Sequence, residues 1–230
     1  MHSPSTFALI RHGEYHQPLN VPSALLPYPL TNKGIEQACQ AAGMLQAYAQ
    51  ESNLEIDSVI DSSRQLRAWQ TASLIAETLG QTFRVEEFPE LAERSVGAVA
   101  NLTVAEIEAL FEADPRYAAP PTGWKSDSHY QLPFQGAESL LDAGARVSGH
   151  IEQRQQQLSA DGVLKVVVGH GASIRHACVQ LGVLELEQVA KISMHHARPV
   201  FIASRSSGWQ KVGGEWKPRS RGGDEIREGH

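Results

Sequence analysis

Three segments carry side chains that could act together on an anion. Arg11-His12-Gly13-Glu14 follows a β-rich apolar run, Phe7 to Ile10; Ser62-Ser63-Arg64-Gln65-Leu66-Arg67 follows Ile56 to Ile60; Gly169-His170-Gly171 follows Val163 to Val168. An isolated Arg-His-Gly reads as a surface turn with incidental charge. Three such ends mean more, because ligands of open parallel sheets bind beyond the carboxyl ends of the strands. Each end would deliver an imidazole or a guanidinium to one sheet edge, making a cationic pocket matched to a phosphate dianion.

These segments resemble the defining motifs of the histidine phosphatase (phosphoglycerate-mutase-like) superfamily. Leu30-Thr31-Asn32-Lys33-Gly34-Ile35-Glu36-Gln37-Ala38 is similar to its Leu-Thr-x-x-Gly-x-x-Gln-Ala helix start, and Leu91-Ala92-Glu93-Arg94-Ser95-Val96-Gly97 to its Leu-x-Glu-x-x-x-Gly acid motif. Gly136-Ala137-Glu138-Ser139 resembles its Gly-Glu-Ser with one residue inserted, and the likeness runs to about Ala203. The resemblance implies a phosphomonoester hydrolase with His12 as the transiently phosphorylated nucleophile, its second ring nitrogen held by a backbone carbonyl. It implies that Arg11, Arg67 and His170 grip the phosphate oxygens, His170 favoured in its cationic form by the phosphate beside it. Glu93 would protonate the leaving oxygen and later deprotonate water, since repulsion from a bound dianion helps the carboxyl keep its proton. The arginines and His170 would do what magnesium does elsewhere, so neither metal nor cofactor is expected.

Other candidates have plainer readings. Glu90 lies three residues before Glu93, but the motif register selects Glu93. His195 and His196 have no third spaced ligand nearby and read as loop or strand-edge histidines rather than a metal site. Arg175 is expected to pair structurally, and Trp124 and Tyr130 either line the pocket mouth or pack the loop that carries them. Where related mutases have a small residue and then an Asn, this chain has Tyr15 and Pro18. Their later Trp-Arg-Arg-like stretch is also missing, Arg116 being the only arginine between Ala98 and Pro121. A mutase must retain a bisphosphorylated intermediate and exclude water, so these departures favour hydrolysis; a mutase stays the alternative. The Arg-His-Gly-Glu-Tyr-His opening resembles a protein-phosphatase branch of the superfamily, so a phosphoprotein is a variant of the expected small phosphorylated substrate. A non-catalytic phosphate sensor is disfavoured by the intact His12, Glu93 and His170.

The elements that must position these groups alternate. Thr31 reads as an N-cap for a helix through Tyr48, Gln65 to Leu79 as a second helix, Thr82 to Val85 as a strand, and Thr103 to Phe111 as a helix opened by a capping box with Glu106. Asp114 to Pro133, rich in Pro, Gly and aromatics, reads as a substrate-selecting loop. A helix from Glu138 to Leu158, the apolar strand Val163 to Val168, a helix from Ser173 to Leu181, a strand from Pro199 to Ala203 and an edge hairpin over Gly208 to Trp216 complete the pattern. The class is α/β, a three-layer α/β/α sandwich with a mostly parallel central sheet: one catalytic domain over residues 1–217, with 218–230 as a flexible tail.

Composition agrees. The 230 residues are 41% hydrophobic and 20% charged, ordinary for a globular chain, with no run near the roughly 20 apolar residues a membrane span needs. A net charge of −6 disfavours a nucleic-acid partner while allowing a local cationic cleft. Met1 to Thr6 lacks the basic-then-apolar pattern of a leader, so the expected compartment is the cytoplasm. Cys39 and Cys178 read as small buried thiols rather than a disulfide. A homodimer is compatible with all of this.

Overall fold

Every residue of strand β1 (Thr6–Arg11) is buried, as in a strand covered on both faces. The computed structural model describes residues 4–22, 25–158 and 161–219. After β1 come helix α1 (Asn32–Ser52), β2 (Glu55–Ser63), α2 (Leu66–Leu79), β3 (Arg84–Phe88), α3 (Val104–Ala113), α4 (Leu140–Gln157), β4 (Val163–Gly169) and α5 (Gly171–Gln180). The short α6 (Leu186–Val189) and β5 (Ile192–Ser193), then β6 (Val200–Arg205), β7 (Gly208–Gly213) and β8 (Lys217–Pro218), follow. The main sheet has the order β3-β2-β4-β1-β6-β7. β3, β2, β4 and β1 are parallel, whereas β6 is antiparallel to β1 and β7; the edge hairpin expected over Gly208 to Trp216 is instead one edge strand, β7, turned back on β6. Because β4 inserts between β1 and β2, the carboxyl ends of the three motif-bearing strands lie side by side.

Two apolar layers enclose the sheet. Ile10, Ala42, Leu45, Ile60, Ala72 and Ile75 belong to the layer under α1 and α2; Leu9, Val147, Ile151, Val167, Ile174 and Ala177 belong to the one under α4 and α5. Leu9 and Ile10 point to opposite layers, as strand alternation requires, and each buried side chain of this size contributes roughly 1.5–3 kcal/mol. The Thr31 cap and the Thr103 capping box form as read, and Ser139 opens α4 with a second capping box through Asp142. The Leu-Thr-x-x-Gly start has a packing reason. A Cβ on Gly13 would lie 2.5 Å from the Gly34 carbonyl oxygen, so two glycines let the start of α1 rest directly on the exit from β1.

Several expectations are corrected. Strand bounds move: β2 extends to Ser63 and β3 lies at Arg84–Phe88, because pairing with β4 and β2 continues past the apolar runs that signalled them. The 114–133 segment is mostly irregular, as expected, but packed: Trp124 and Leu132 are buried with Phe111 and Ile107 in a small core of their own. Position 218 does not begin a free tail, since β8 pairs with β5 and the Arg219 N–H donates to the Lys191 carbonyl. Residues 220–230 lie outside the described residues. Cys39 is exposed, not buried; Cys178 is buried, both thiols are free, and burial pushes the Cys178 thiol up to about 12. No helix among the described residues is long and apolar enough to cross a membrane.

Candidate active site

His12 follows β1 and is almost wholly buried. Its Nδ1 lies 2.8 Å from the Gly13 carbonyl oxygen, which can only accept, so the proton sits on Nδ1 and the lone pair on Nε2. Arg67, in the first turn of α2, donates through Nε to that Nε2 at 3.1 Å. Another nitrogen of the same guanidinium lies 3.1 Å from His170 Nδ1, and further bonds reach the Leu26 carbonyl at 3.1 Å and Gln65 Oε1 at 2.8 Å. His170 is the N-cap of α5, and its Nε2 lies 2.9 Å from Ser63 Oγ at the end of β2. Arg11 donates to the Met194 carbonyl at 3.1 Å and runs along Gly171, where a Cβ would come within 3.1 Å of its Cδ. All three strand ends meet here, with the His12 and His170 rings 5.1 Å apart.

Burial, reinforced by the Arg67 charge, pushes both His12 and His170 well below the ordinary imidazole value. Both rings are therefore neutral at neutral pH and accept from Arg67. This modifies the expectation for His170: burial and Arg67 oppose the cationic form, so only a phosphate's negative charge could make it a cationic donor. Arg67, with no exposed surface, is itself lowered by burial.

Glu93 comes from the irregular stretch after β3, just past a 3-10 turn over Pro89–Leu91. Its Oε1 accepts the N–H groups of Arg94 at 3.0 Å and of Ser173 at 3.1 Å, and its Oε2 is 3.5 Å from the Ala172 nitrogen. The carboxyl thus sits against the first turn of α5, which His170 caps. Glu90 is exposed in the preceding turn. Arg94 is buried next to Glu93, 5.9 Å from the Trp124 ring, and its Nη2 has no hydrogen-bond partner among the described residues.

Other groups find structural places. Arg175 donates to the carbonyls of Gly171, Val189 and Ile192. Trp124 packs the insertion and donates to Glu108 Oε1 at 3.0 Å, with Tyr130 beside it. Arg116 is exposed and held in a fork by Asp114, as close as 2.6 Å. His196 lies at a strand edge, as one of the two expected readings had it, but it also reaches the site. It bridges to Arg11, its Nδ1 lies 3.0 Å from the His12 carbonyl oxygen, and burial pushes it down to about 3. The next residue, Ala197, donates to the Arg11 carbonyl at 2.8 Å with φ at 50°, a left-handed conformation that costs about 1–3 kcal/mol outside glycine. Tyr15 was also missed as a site residue: its ring stands edge-on to His12 at 5.2 Å, under the Arg67 guanidinium at 4.7 Å. Ser63 had one signal, its place at the strand end four residues before Arg67; His196 had none.

A cavity of about 890 Å³ adjoins the site, walled by Arg11, Tyr15, Lys33, Met194, His196 and Lys217 among others. His12, Arg67, His170 and Glu93 do not line it. Among the described residues no three or more His, Cys, Asp or Glu side chains group as a metal site.

Known proteins compare as follows. The family model described as Histidine phosphatase superfamily (branch 1) matches residues 7–215. A 2,3-bisphosphoglycerate-dependent phosphoglycerate mutase of Rhizobium meliloti (strain 1021) is 28% identical over 199 residues, 85% of this chain and 88% of that protein. A mycobacterial glucosyl-3-phosphoglycerate phosphatase solved with VO3 aligns with TM-score 0.68 at 24% identity, over 94% of this chain and 99% of that one. A mutant phosphoserine phosphatase from Entamoeba histolytica, in complex with phosphoserine, aligns with TM-score 0.64 at 19% identity, over 93% and 96%. These two structures share the fold.

Proposed function

The chain belongs to the histidine phosphatase superfamily, branch 1, and from that premise we propose that it hydrolyses small phosphomonoesters through a phosphohistidine on His12, without a metal ion. The observation that carries this reading is the Arg67 guanidinium spanning His12 Nε2 and His170 Nδ1 at 3.1 Å each. With the proton held on Nδ1 by the Gly13 carbonyl, the His12 lone pair lies on Nε2; Arg67 donates to it, and a phosphate oxygen that takes over the Arg67 donor would free Nε2 for in-line attack. His12 Nε2 forms the bond to phosphorus as the bond to the leaving oxygen breaks, and the Glu93 carboxyl gives that oxygen its proton. Water then attacks phosphorus, Glu93 takes the water's proton, the P–N bond breaks and inorganic phosphate leaves. Arg11, Arg67 and His170 hold the non-bridging oxygens throughout.

Hydrolysis is preferred to isomerisation because the one arginine between Ala98 and Pro121 is held by Asp114, and Pro18 stands where mutases bind phosphate through Asn, with Tyr15 in place of their small residue. The mutase reading keeps a specific support, the name carried by relatives at 25–28% identity. Incubation with 3-phosphoglycerate, with and without its bisphosphorylated form, separates them: released phosphate supports the hydrolase, and 2-phosphoglycerate without phosphate release overturns it. The acid role is tested by Glu93→Gln. It should slow alkyl phosphates by about 10² to 10⁴-fold while p-nitrophenyl phosphate, whose leaving group needs no proton, still phosphorylates His12 in a rapid burst. Equal slowing of both burst rates sinks the assignment.

A further inference from the structure

Glu93 lies on a stretch with no regular hydrogen-bond ladder, between the 3-10 turns Pro89–Leu91 and Gly97–Val99. A general acid on such backbone needs its position imposed from outside. One end is fixed by α5, whose amides hold the carboxylate. The other is fixed by Arg146 on α4. That guanidinium donates to the carbonyls of Glu90 at 2.7 Å, Ala92 at 3.0 Å and Glu93 at 3.0 Å, and forms a fork with Glu138 at 2.7 and 2.8 Å. Glu138 closes the loop by accepting the Ser95 N–H at 3.0 Å, while its own N–H donates to the Ser95 carbonyl at 2.9 Å. The two helices are packed hard together: a Cβ on Gly144 would fall 2.6 Å from His176.

We propose that Arg146 and Glu138 are a positioning pair that sets where the Glu93 carboxyl stands relative to the leaving oxygen, so that they act on the proton transfer without touching substrate. The inference rests on Glu93 being the acid. Its physical ground is the planar five-donor fork, which meets three carbonyls and a carboxylate at once; a lysine keeps the charge but cannot span them. Arg146 also lowers His170 through its charge, so charge and geometry must be told apart.

Arg146→Lys keeps the charge and removes the fork, and Glu138→Gln weakens the fork from its other side while leaving Arg146 in place. Each is compared with the unaltered enzyme and with Glu93→Gln on an alkyl phosphate and on p-nitrophenyl phosphate, with thermal melting as a check that the variant is folded. A misplacement near 1 Å costs on the order of 10²-fold, so the expected loss in alkyl-phosphate kcat is about 10-fold or more, with KM and the p-nitrophenyl phosphate burst rate within about threefold. In the Glu93→Gln background Arg146→Lys should lower kcat no further, because there is no acid left to position. Unchanged rates in Arg146→Lys, equal loss with both leaving groups, or losses that multiply in the double variant each overturn the proposal. If Glu93→Gln alone shows no leaving-group dependence, the acid assignment falls and this inference with it, an outcome visible in the single variant.

Discussion

Two buried charge clusters meet strand β2, and they are built on opposite principles. Around Asp61, which has no exposed surface, one carboxylate receives Lys165 at 2.7 Å, Arg154 at 2.7 Å and His150 at 2.8 Å. Lys165 also reaches Asp57 at 3.1 Å, and Arg154 lies over the Phe88 ring at 4.5 Å. Two residues along the same strand, Ser63 touches His170, and there Arg67 gives its hydrogen bonds to two imidazoles, a carbonyl and an amide oxygen. The first cluster cancels its charge internally and stiffens the sheet against α4. In the second, those four acceptors of the guanidinium are neutral groups, and the Glu93 carboxyl acts on it through its charge. A buried carboxylate ringed by cations is built for stability, whereas the cluster of Arg67 with two neutral imidazoles is the one proposed to carry the chemistry.

His12→Ala should break the active cluster's chemistry, lowering turnover by at least about 10⁴-fold and abolishing acid-labile phosphate labelling, with little change in melting temperature. Normal labelling of the variant would show the nucleophile to be another residue. Asp61→Ala should do the reverse. It strands buried Lys165 and its neighbours and should destabilise the fold by about 3–5 kcal/mol in urea titration, while kcat of the folded fraction stays near that of the unaltered enzyme. A stable Asp61→Ala protein with lost activity would erase the distinction.

Acid should also separate the clusters. His12, His170, His176 and His196 are lowered by burial from 6.5, His176 to about 4 and His196 to about 3. Below 6.5 the unfolded chain takes up protons that the folded chain does not, so stability present above 6.5 is lost as pH falls toward the folded values. For Asp61 burial alone would raise the carboxyl, but the His150 hydrogen bond and the Lys165 charge outweigh it and hold it below 3.8, so its contribution is lost only below that. His196→Asn should therefore flatten the decline, recovering about 2 kcal/mol at pH 5 relative to pH 8. An unchanged slope would mean His196 is charged in the folded protein. The smallest expected effect is that of chelation: EDTA should leave turnover unaltered, since side chains supply the positive charge, and loss restored by magnesium or zinc would refute the side-chain mechanism.

Much of this was legible in one dimension. Arg11-His12-Gly13, Arg67 and Gly169-His170 could be placed at strand ends because apolar runs stop there, and the caps at Thr31 and Thr103 could be read because capping involves residues three apart. Those signals are local, and local geometry follows from adjacent residue types. The tertiary structure decided the rest. His196 reaches the His12 carbonyl across 184 residues, Arg146 reaches Ala92 across 54, and His150 reaches Asp61 across 89. No periodicity or spacing encodes such pairs. The protonation of His12 and His170 was equally out of reach, because it depends on how much water and which charges surround each ring, and that is fixed only when β1, β2 and β4 are brought edge to edge and the loops close over them.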